Sequence, residues 1–406
     1  MPIPFRELVH RVRSFRVNKP PAFILGIGSN GLSFVRSLGG RRIPVVALDT
    51  WKDPGMYSRY CLASVVPSAE EDEVGLLNRL AELGESASTR GTLIPTADSF
   101  ALFVSKYRAK LSKHYYLNIA EYDGMLTVMD RRLQYEYART QGLETPRTLF
   151  PSDLAIEDIA REMDYPCIIK PSYSHLWWTY GGNRWGKLAE ARSAEELIDV
   201  YSEMKKSGLD FMVQEEIAGE DDQLYGLNTY LDRASKPKAI FTKRKLRQYP
   251  RYFGSGSIFV GVWIPEVAEL GLKLLRGLKF RGNAHVEFKR DPRDGALKLM
   301  EMNARSSAAT HHAVVSGVDI PHITYQDSIG QGVEEGLTFR EGVRWIDLAK
   351  DLGSFRAYHR AGDIDLGLWL RSLRGERCFA FFAWDDPSPA WLGLWEAARA
   401  EFGRAR

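Results

Sequence analysis

The segment HVEFKRDPRDGALKLMEMNAR, residues 285–305, gathers two carboxylates, an amide and a guanidinium at spacings suited to phosphate chemistry. VEFK and LKLMEMN read as two strands, with Asp291, Pro292, Asp294 and Gly295 supplying the turn between them. Strand side chains alternate, so Glu301 and Asn303 share a face, with Leu299 further back on it. A turn centred near Asp294 brings Glu287 opposite Glu301 and leaves Arg305 just beyond the strand end. Two carboxylates converging among apolar neighbours raise each other's pKa values and are costly without a cation. Magnesium accepts such an all-oxygen set and keeps positions open for phosphate. The pattern therefore predicts a magnesium–nucleotide site.

Other charged positions belong with this hairpin. Lys170 ends the apolar run YPCIIK just before Pro171, and a glycine-bearing loop, Gly181–Gly182–Asn183–Arg184–Trp185–Gly186, follows. Backbone N–H groups in such a loop can approach phosphates unobstructed. The same loop also reads as a lid whose Trp177, Trp178 and Trp185 pack on the neighbouring lobe. Gln214, Glu215 and Glu216 close the apolar strand FMV, where a connector between lobes can present acceptors to adenine. Glu220 and Asp222 lie one turn on, suited to ribose hydroxyls; without the hairpin this stretch would be a solvated acidic loop. Lys243, Lys245 and Arg247 fall on one face by period two, with Arg244 on the other. Beside a phosphate site, such cations neutralise a transferring phosphoryl group. GSGS, residues 254–257, reads as a flexible, donor-rich loop for a carboxylate or phosphate.

Several other features read as structure. Adjacent His311 and His312 in a predicted helix cannot face one way, and no Cys or HExxH spacing supports zinc. Cys167 lies inside an apolar strand and reads as core. Gly26, Gly28 and Gly31 mark a tight turn between strand and helix but fall short of GxGxxG, which favours a structural or substrate-facing turn over a dinucleotide site.

The elements that position these groups suit a chain of 406 residues, long enough for two or three domains. Hydrophobic residues make up 44%, charged residues 26%, and the formal net charge is +3. No Lys/Arg stripe interleaved with aromatics appears, which argues against nucleic acid. No apolar run approaches the ~20 residues needed to span a bilayer. Cys61, Cys167 and Cys378 lie far apart and suit a reducing cytoplasm. MPIPFRELVHRVRSFR lacks the apolar core of a signal peptide and predicts a short amphipathic helix docked on its own domain.

AFILGIG, SNGLSFVRSLGG and IPVVALD read as strand, helix and strand, and TLIPTAD as a further strand leading into a helix. These open an α/β domain over 1–125. A smaller α/β lobe with the glycine loop follows over 126–210. In it, MDRRLQYEYARTQG predicts a helix burying Leu133, Tyr137 and Ala138, ended by Gly142. A larger lobe, 211–335, opens with the strand FMV and holds the hairpin. Residues 336–406 form a C-terminal extension rich in Trp and Phe.

Taken in order, these segments resemble the ATP-grasp superfamily, and within it the carboxylate–amine ligases that include D-aspartate ligases. MDRRLQYEYARTQGLETPRT is similar to the helix that leads into the grasp fold, YPCIIKPS to its nucleotide-lysine strand, and VQEEIAGED to its adenine hinge. FTKRKLRQYP with GSGS is similar to a substrate-side segment, while WIDLAKDL and AWDDPSPAW are similar to the C-terminal pattern. VEFKRDPRDGALKLMEMNAR matches the magnesium hairpin most specifically.

The resemblance implies an α/β chain, α+β in its nucleotide-binding lobes, with a Rossmann-like pre-grasp domain. It places Arg131, Lys170, Gly181, Gly182 and Lys243 with the nucleotide phosphates, and Glu215, Glu216, Ile217 and Ala218 with adenine. Glu220 and Asp222 would meet ribose. Glu287, Glu301 and Asn303 would hold Mg²⁺, as two ions for which Mn²⁺ can substitute. Arg305 and Lys245 would act in catalysis, and Arg247, Ser255, Gly256, Ser257, Arg305 and Ser306 would face substrate. Arg131 stands where the family usually has lysine; it keeps the charge and grips phosphate with two donors. The implied activity is a cytoplasmic ATP-dependent C–N ligase working through an acyl phosphate. ATP is its co-substrate, and a small carboxylate and an amine are its partners. ATP-dependent carboxylation or a non-catalytic nucleotide-binding role are the alternatives, and a homodimer is compatible.

Overall fold

The computed structural model describes residues 1–15, 19–172 and 188–395. Gly181, Gly182 and the tryptophans Trp177, Trp178 and Trp185 lie outside the described residues. Among the described residues, strands are gathered into three sheets. The first is parallel, in the order β3-β2-β1-β4-β5, from β1 (Ala22–Leu25), β2 (Val45–Asp49), β3 (Leu62–Val65), β4 (Gly91–Pro95) and β5 (Tyr115–Tyr116). Parallel strands are covered on both faces, and every residue of β1 and β2 is buried. Gly26 turns the chain after β1 with φ +81°, and a Cβ at Gly31 would strike the Gly26 carbonyl. Close packing thus requires Gly26 and Gly31, whereas a Cβ at Gly28 would meet nothing within 4 Å. The N-terminal helix Phe5–Arg13 buries Leu8, Val9 and Val12 against this domain, as its amphipathic pattern predicts.

The second sheet is antiparallel, in the order β6-β9-β7-β8, from β6 (Thr148–Leu149), β7 (Cys167–Pro171), β8 (Ala189–Ala191) and β9 (Phe211–Glu215). Here the structure corrects the sequence: Phe211–Glu215 pairs with β7 and β6 and does not open the larger lobe. Its alternation explains the placement. Phe211 and Val213 enter the core of the small sheet, while Met212 joins the main core. Cys167 is buried in that small core, as expected.

The third sheet has the order β14-β13-β10-β11-β12-β15-β16. Its strands are β10 (Leu224–Leu231), β11 (Pro237–Tyr249), β12 (Ser255–Gly261), β13 (Gly282–Arg290), β14 (Leu297–Asn303), β15 (Arg344–Ile346) and β16 (Arg377–Phe379). The C-terminal segment thus extends the sheet through β15 and β16. GSGS lies largely within β12, where the sequence predicts a flexible loop; Ser257 is fully buried. One core runs from Phe23 of the parallel sheet through Tyr135 to Phe288 and Leu299 of the hairpin. The N-terminal domain and the large sheet are therefore packed as one body around the hairpin.

The helix Arg131–Thr140 starts where the Asp130 carboxylate caps the N–H groups of Arg132 and Leu133, and Gly142, at φ +69°, turns the chain after its end. Its buried residues are Gln134, Tyr135 and Ala138. Leu133 is exposed and Tyr137 half-buried, contrary to the predicted face. The reason is polar: the Gln134 amide bonds both the N–H and the carbonyl of Met302, so an amide outranks a leucine for the interior. All three cysteines are free. Among the described residues, no helix is long and apolar enough to cross a membrane.

Candidate active site

β13 and β14 place the acidic residues by register. Glu287 lies opposite Glu301 and His285 opposite Asn303, as the turn position requires. One expectation fails. Phe288 pairs with Leu299, so Met300 is an extra residue on β14, and Leu299 turns to the opposite face. Leu299 is fully buried in the main core with Phe288, while Glu301 keeps company with Glu287. The bulge is held by Tyr135, whose hydroxyl donates to the Met300 carbonyl at 2.9 Å.

Cations surround this acidic face. Arg131 Nη2 lies 3.5 Å from Glu301 Oε2, and Arg131 Nη1 donates to the Pro171 carbonyl at the end of β7. Arg305 Nη2 approaches Asn303 Oδ1 at 3.3 Å and Asp98 Oδ2 at 2.9 Å. Among the described residues, no three His, Cys, Asp or Glu side chains gather as a metal site. The donor set is instead two carboxylates facing each other across a strand pair, with an amide one step along. That set fits magnesium, which needs only one or two carboxylates when phosphate completes its shell.

Lys170, Lys243 and Lys245 are buried, although lysines usually lie at the surface. Burial, reinforced by Arg131, lowers the Lys170 pKa to about 7, against the pull of Glu301. Burial likewise brings Lys243 to about 7, with Glu287 opposing and Lys245 and Arg305 adding repulsion. Lys243 Nζ donates to Ser307 Oγ at 2.6 Å and sits 4.5 Å from the centre of the Phe259 ring. Lys245 Nζ donates to Gln248 Oε1 at 3.1 Å. Gly226 makes room between the strands: a Cβ there would come 2.8 Å from His285 Nε2 and 3.1 Å from Lys243 Cε.

His285 escapes the sequence reading, though period two alone puts it on the Glu287 face. It is 3% exposed, and its Nε2 lies 3.7 Å from Glu287 Oε1. Burial, with Lys243 and Arg305 nearby, holds it well below the usual histidine range. It is a neutral ring beside Glu287. His312 packs instead, with Nε2 2.8 Å from the Val343 carbonyl.

The hinge differs in detail from expectation. Glu215 accepts from the Arg147 N–H, Lys298 and Arg293, and these contacts hold it below the usual carboxylate range although burial acts the other way. Asp291 anchors the same lysine and arginine. The Glu215 carboxylate therefore clasps the hairpin turn, while its own N–H donates to the Arg147 carbonyl at 2.9 Å. Ile217 is buried and its carbonyl accepts from Lys289, while Ala218 and Glu216 are half-buried. Glu216 is raised by burial and then by Glu190. Glu220 is exposed and Asp222 lies 3.9 Å from Arg244.

Two substrate-side assignments are redirected. The register shifts between Lys245 and Arg247: Lys245 pairs with Phe259, and Arg247 with the adjacent Ile258. Adjacent strand residues face opposite ways, so Arg247 leaves the lysine face. Its guanidinium makes a two-pronged contact with Asp351, which also accepts from Ser257 and Trp369. Arg247 and Ser257 thus fasten the C-terminal helix Leu348–Arg360. Ser255 and Gly256 are half-buried at the start of β12, and Ser306 is buried with its carbonyl accepting from Asn30.

No protein-family model matches the chain. A D-aspartate ligase of Enterococcus faecium (strain Aus0004) is 24% identical over 289 residues, 68% of this chain and 68% of that protein. Among solved structures, N5-carboxyaminoimidazole synthetase from Staphylococcus aureus complexed with ADP superposes with a TM-score of 0.64. It is 16% identical, over 86% of this chain and 88% of that one. The biotin carboxylase domain of the Hydrogenobacter thermophilus 2-oxoglutarate carboxylase, in complex with MgADP, ADP and bicarbonate, gives 0.61 at 16% identity, over 81% and 74%. The fold is the mixed α/β ATP-grasp type.

Proposed function

We propose that this chain uses ATP to activate a carboxylate as an acyl phosphate and passes the acyl group to an amine, releasing ADP and phosphate. The observation that carries the reading is the register of Glu287 against Glu301, with Asn303 and Arg305 following and the buried lysines behind them. The D-aspartate ligase relative supports an amide product. Carboxylation, with bicarbonate as the activated carboxylate, is the second reading; the likeness to the biotin carboxylase domain with MgADP and bicarbonate favours it. Both share one first step. A nucleotide-binding protein without turnover would have no use for the full set of hairpin ligands and Arg305.

Carboxylates are poor acyl donors because oxide would have to leave. Attack of the carboxylate oxygen on the γ-phosphorus breaks the bond to ADP and leaves a mixed anhydride whose leaving group is phosphate. Lys170 and Arg131 would grip the phosphates, and Lys243 and Lys245 would balance charge on the transferring group. Glu287, Glu301 and Asn303 would hold Mg²⁺, which when bound supplies positive charge to the phosphate oxygens. As the amine adds to the carbonyl, Arg305 and N–H groups near Ser306 and Ser307 would stabilise the oxyanion.

A screen of ADP release tests the reading, with carboxylates including bicarbonate supplied alone and paired with amines, followed by mass analysis of products. Carboxylate-dependent ADP release with a coupled amide supports ligation, and a bicarbonate requirement supports carboxylation. ADP release indifferent to any carboxylate rejects both.

A further inference from the structure

Packing explains Gly26 and Gly31 but gives no reason for a glycine at Gly28. Gly28 lines a cavity of about 710 Å³, a volume in the range of whole-ligand pockets. The loops after β1, β2, β3 and β4 all contribute to it, through Gly26, Thr50, Val66 and Thr96 among others. It therefore lies outside the carboxyl ends of the parallel strands. In the order β3-β2-β1-β4-β5 the winding reverses between β1 and β4, and open parallel sheets bind ligands at such a point. None of the hairpin residues, the buried lysines or Arg131 lines this cavity.

Counted along the chain, Gly26–Ile27–Gly28–Ser29–Asn30–Gly31 keeps the full G-x-G-x-x-G spacing, which corrects the sequence reading of this turn. The three glycines divide the work as that spacing requires. Gly26 makes the tight turn, Gly31 lets the helix pack on the strand end, and Gly28 leaves the backbone open to the cavity. The helix Gly28–Gly40 starts there with no side-chain cap and no acidic residue in its first turn. Helix geometry leaves its first N–H groups without an acceptor, an arrangement suited to phosphate. Asp49 ends β2 and lines the same cavity, the place from which a carboxylate meets ribose hydroxyls. Its oxygens accept from the Ile27 and Thr50 N–H groups at 2.6 and 2.7 Å, and each keeps a lone pair for a hydroxyl. Trp51, Val66 and Pro67 offer apolar surface to a base. No Lys, Arg or His lines the cavity among the described residues, so a 2′-phosphate would meet no cation there.

We propose that this cavity binds a dinucleotide lacking a 2′-phosphate, at a site distinct from the proposed ATP site. The pyrophosphate lies on Gly28 and the helix start, a ribose on Asp49 and its base against Trp51. The proposal is independent of the acyl-transfer reading and assigns no redox step.

The test titrates the full chain with NAD⁺ by calorimetry, alone and again with Mg·ADP at saturation. One NAD⁺ per chain should bind in both, and NADP⁺ more weakly. Trp51 is 56% exposed, so its ring can be removed without disturbing the core. Trp51→Ala should weaken NAD⁺ about ten-fold through lost stacking on the base, with Mg·ADP affinity unchanged. Gly28→Ala should abolish NAD⁺ binding; its ligand-free melt is measured alongside, because φ +33° strains any side chain. No binding of NAD⁺, its displacement by Mg·ADP, or wild-type affinity in Trp51→Ala overturns the site. Equal affinity for NADP⁺ overturns the ligand class. Failure of Mg·ADP to bind would count against the grasp reading alone and leave NAD⁺ binding to stand.

Discussion

Arg131 and Glu301 neutralise one another across the site, Nη2 to Oε2 at 3.5 Å. On the proposed reading, the guanidinium would serve phosphate and the carboxylate metal, and the two would hold each other until both ligands bind. Binding of Mg·ATP would exchange one contact for two, with Glu301 turning to the metal and Arg131 to phosphate. On that reading Glu301→Gln would remove a carboxylate ligand of the metal, which itself supplies several kcal/mol of transition-state charge stabilisation. Turnover is expected to fall at least about 10²-fold, with the thermal melt little changed. Near-normal metal-dependent turnover would sink the assignment.

On the proposed reading, Lys170 would make the nucleotide site sensitive to pH. Its pKa of about 7 means that it is charged below neutrality and neutral above. Phosphate binds the charged form, so ATP affinity should weaken as pH rises from 6 to 8, and binding at pH 8 should take up protons. Calorimetry in buffers of different ionisation enthalpy measures that uptake. Lys170→Ala should weaken ATP binding and reduce the uptake; unchanged affinity would return the residue to a structural role.

Arg247 and Asp351 form a buried pair whose side chains are 6% and 1% exposed. Arg247→Ala leaves Asp351 charged in the interior, which should cost about 3–5 kcal/mol of stability. The double variant Arg247→Ala/Asp351→Asn should lose less than the two single losses added together. Chemical denaturation checks both. An unchanged midpoint with a raised substrate KM would restore Arg247 to the substrate side.

Local pattern made the hairpin legible because alternating runs flank a strong turn, and the opposition of Glu287 and Glu301 follows from counting. The bulge at Met300 did not follow, since an inserted strand residue changes no residue type and shows only in pairing. The same holds for Arg247, which period two assigns to the lysine face until the register shifts. Phe211–Glu215 reads as a strand from its composition, but its partner is a property of the whole chain. Asp98 looks like any acidic residue opening a helix, and only the fold brings it to Arg305.

On the proposed mechanism, Arg305 would separate a ligase from a bare ATPase. Its guanidinium lies between Asn303 and Asp98, beyond the carboxylate pair, where it can meet charge that develops at the carbonyl. Arg305→Ala should therefore reduce coupling more than nucleotide binding, by roughly 3 kcal/mol of transition-state stabilisation, or on the order of 10² in rate. Isotope transfer tests the step before it. If the carboxylate attacks the γ-phosphorus, one of its oxygens leaves with phosphate when the amine displaces it. Carboxylate labelled with ¹⁸O should then deliver label to inorganic phosphate only as ATP is consumed, and the same holds for labelled bicarbonate. Phosphate free of substrate oxygen would reject direct carboxylate phosphorylation even with the grasp fold in place.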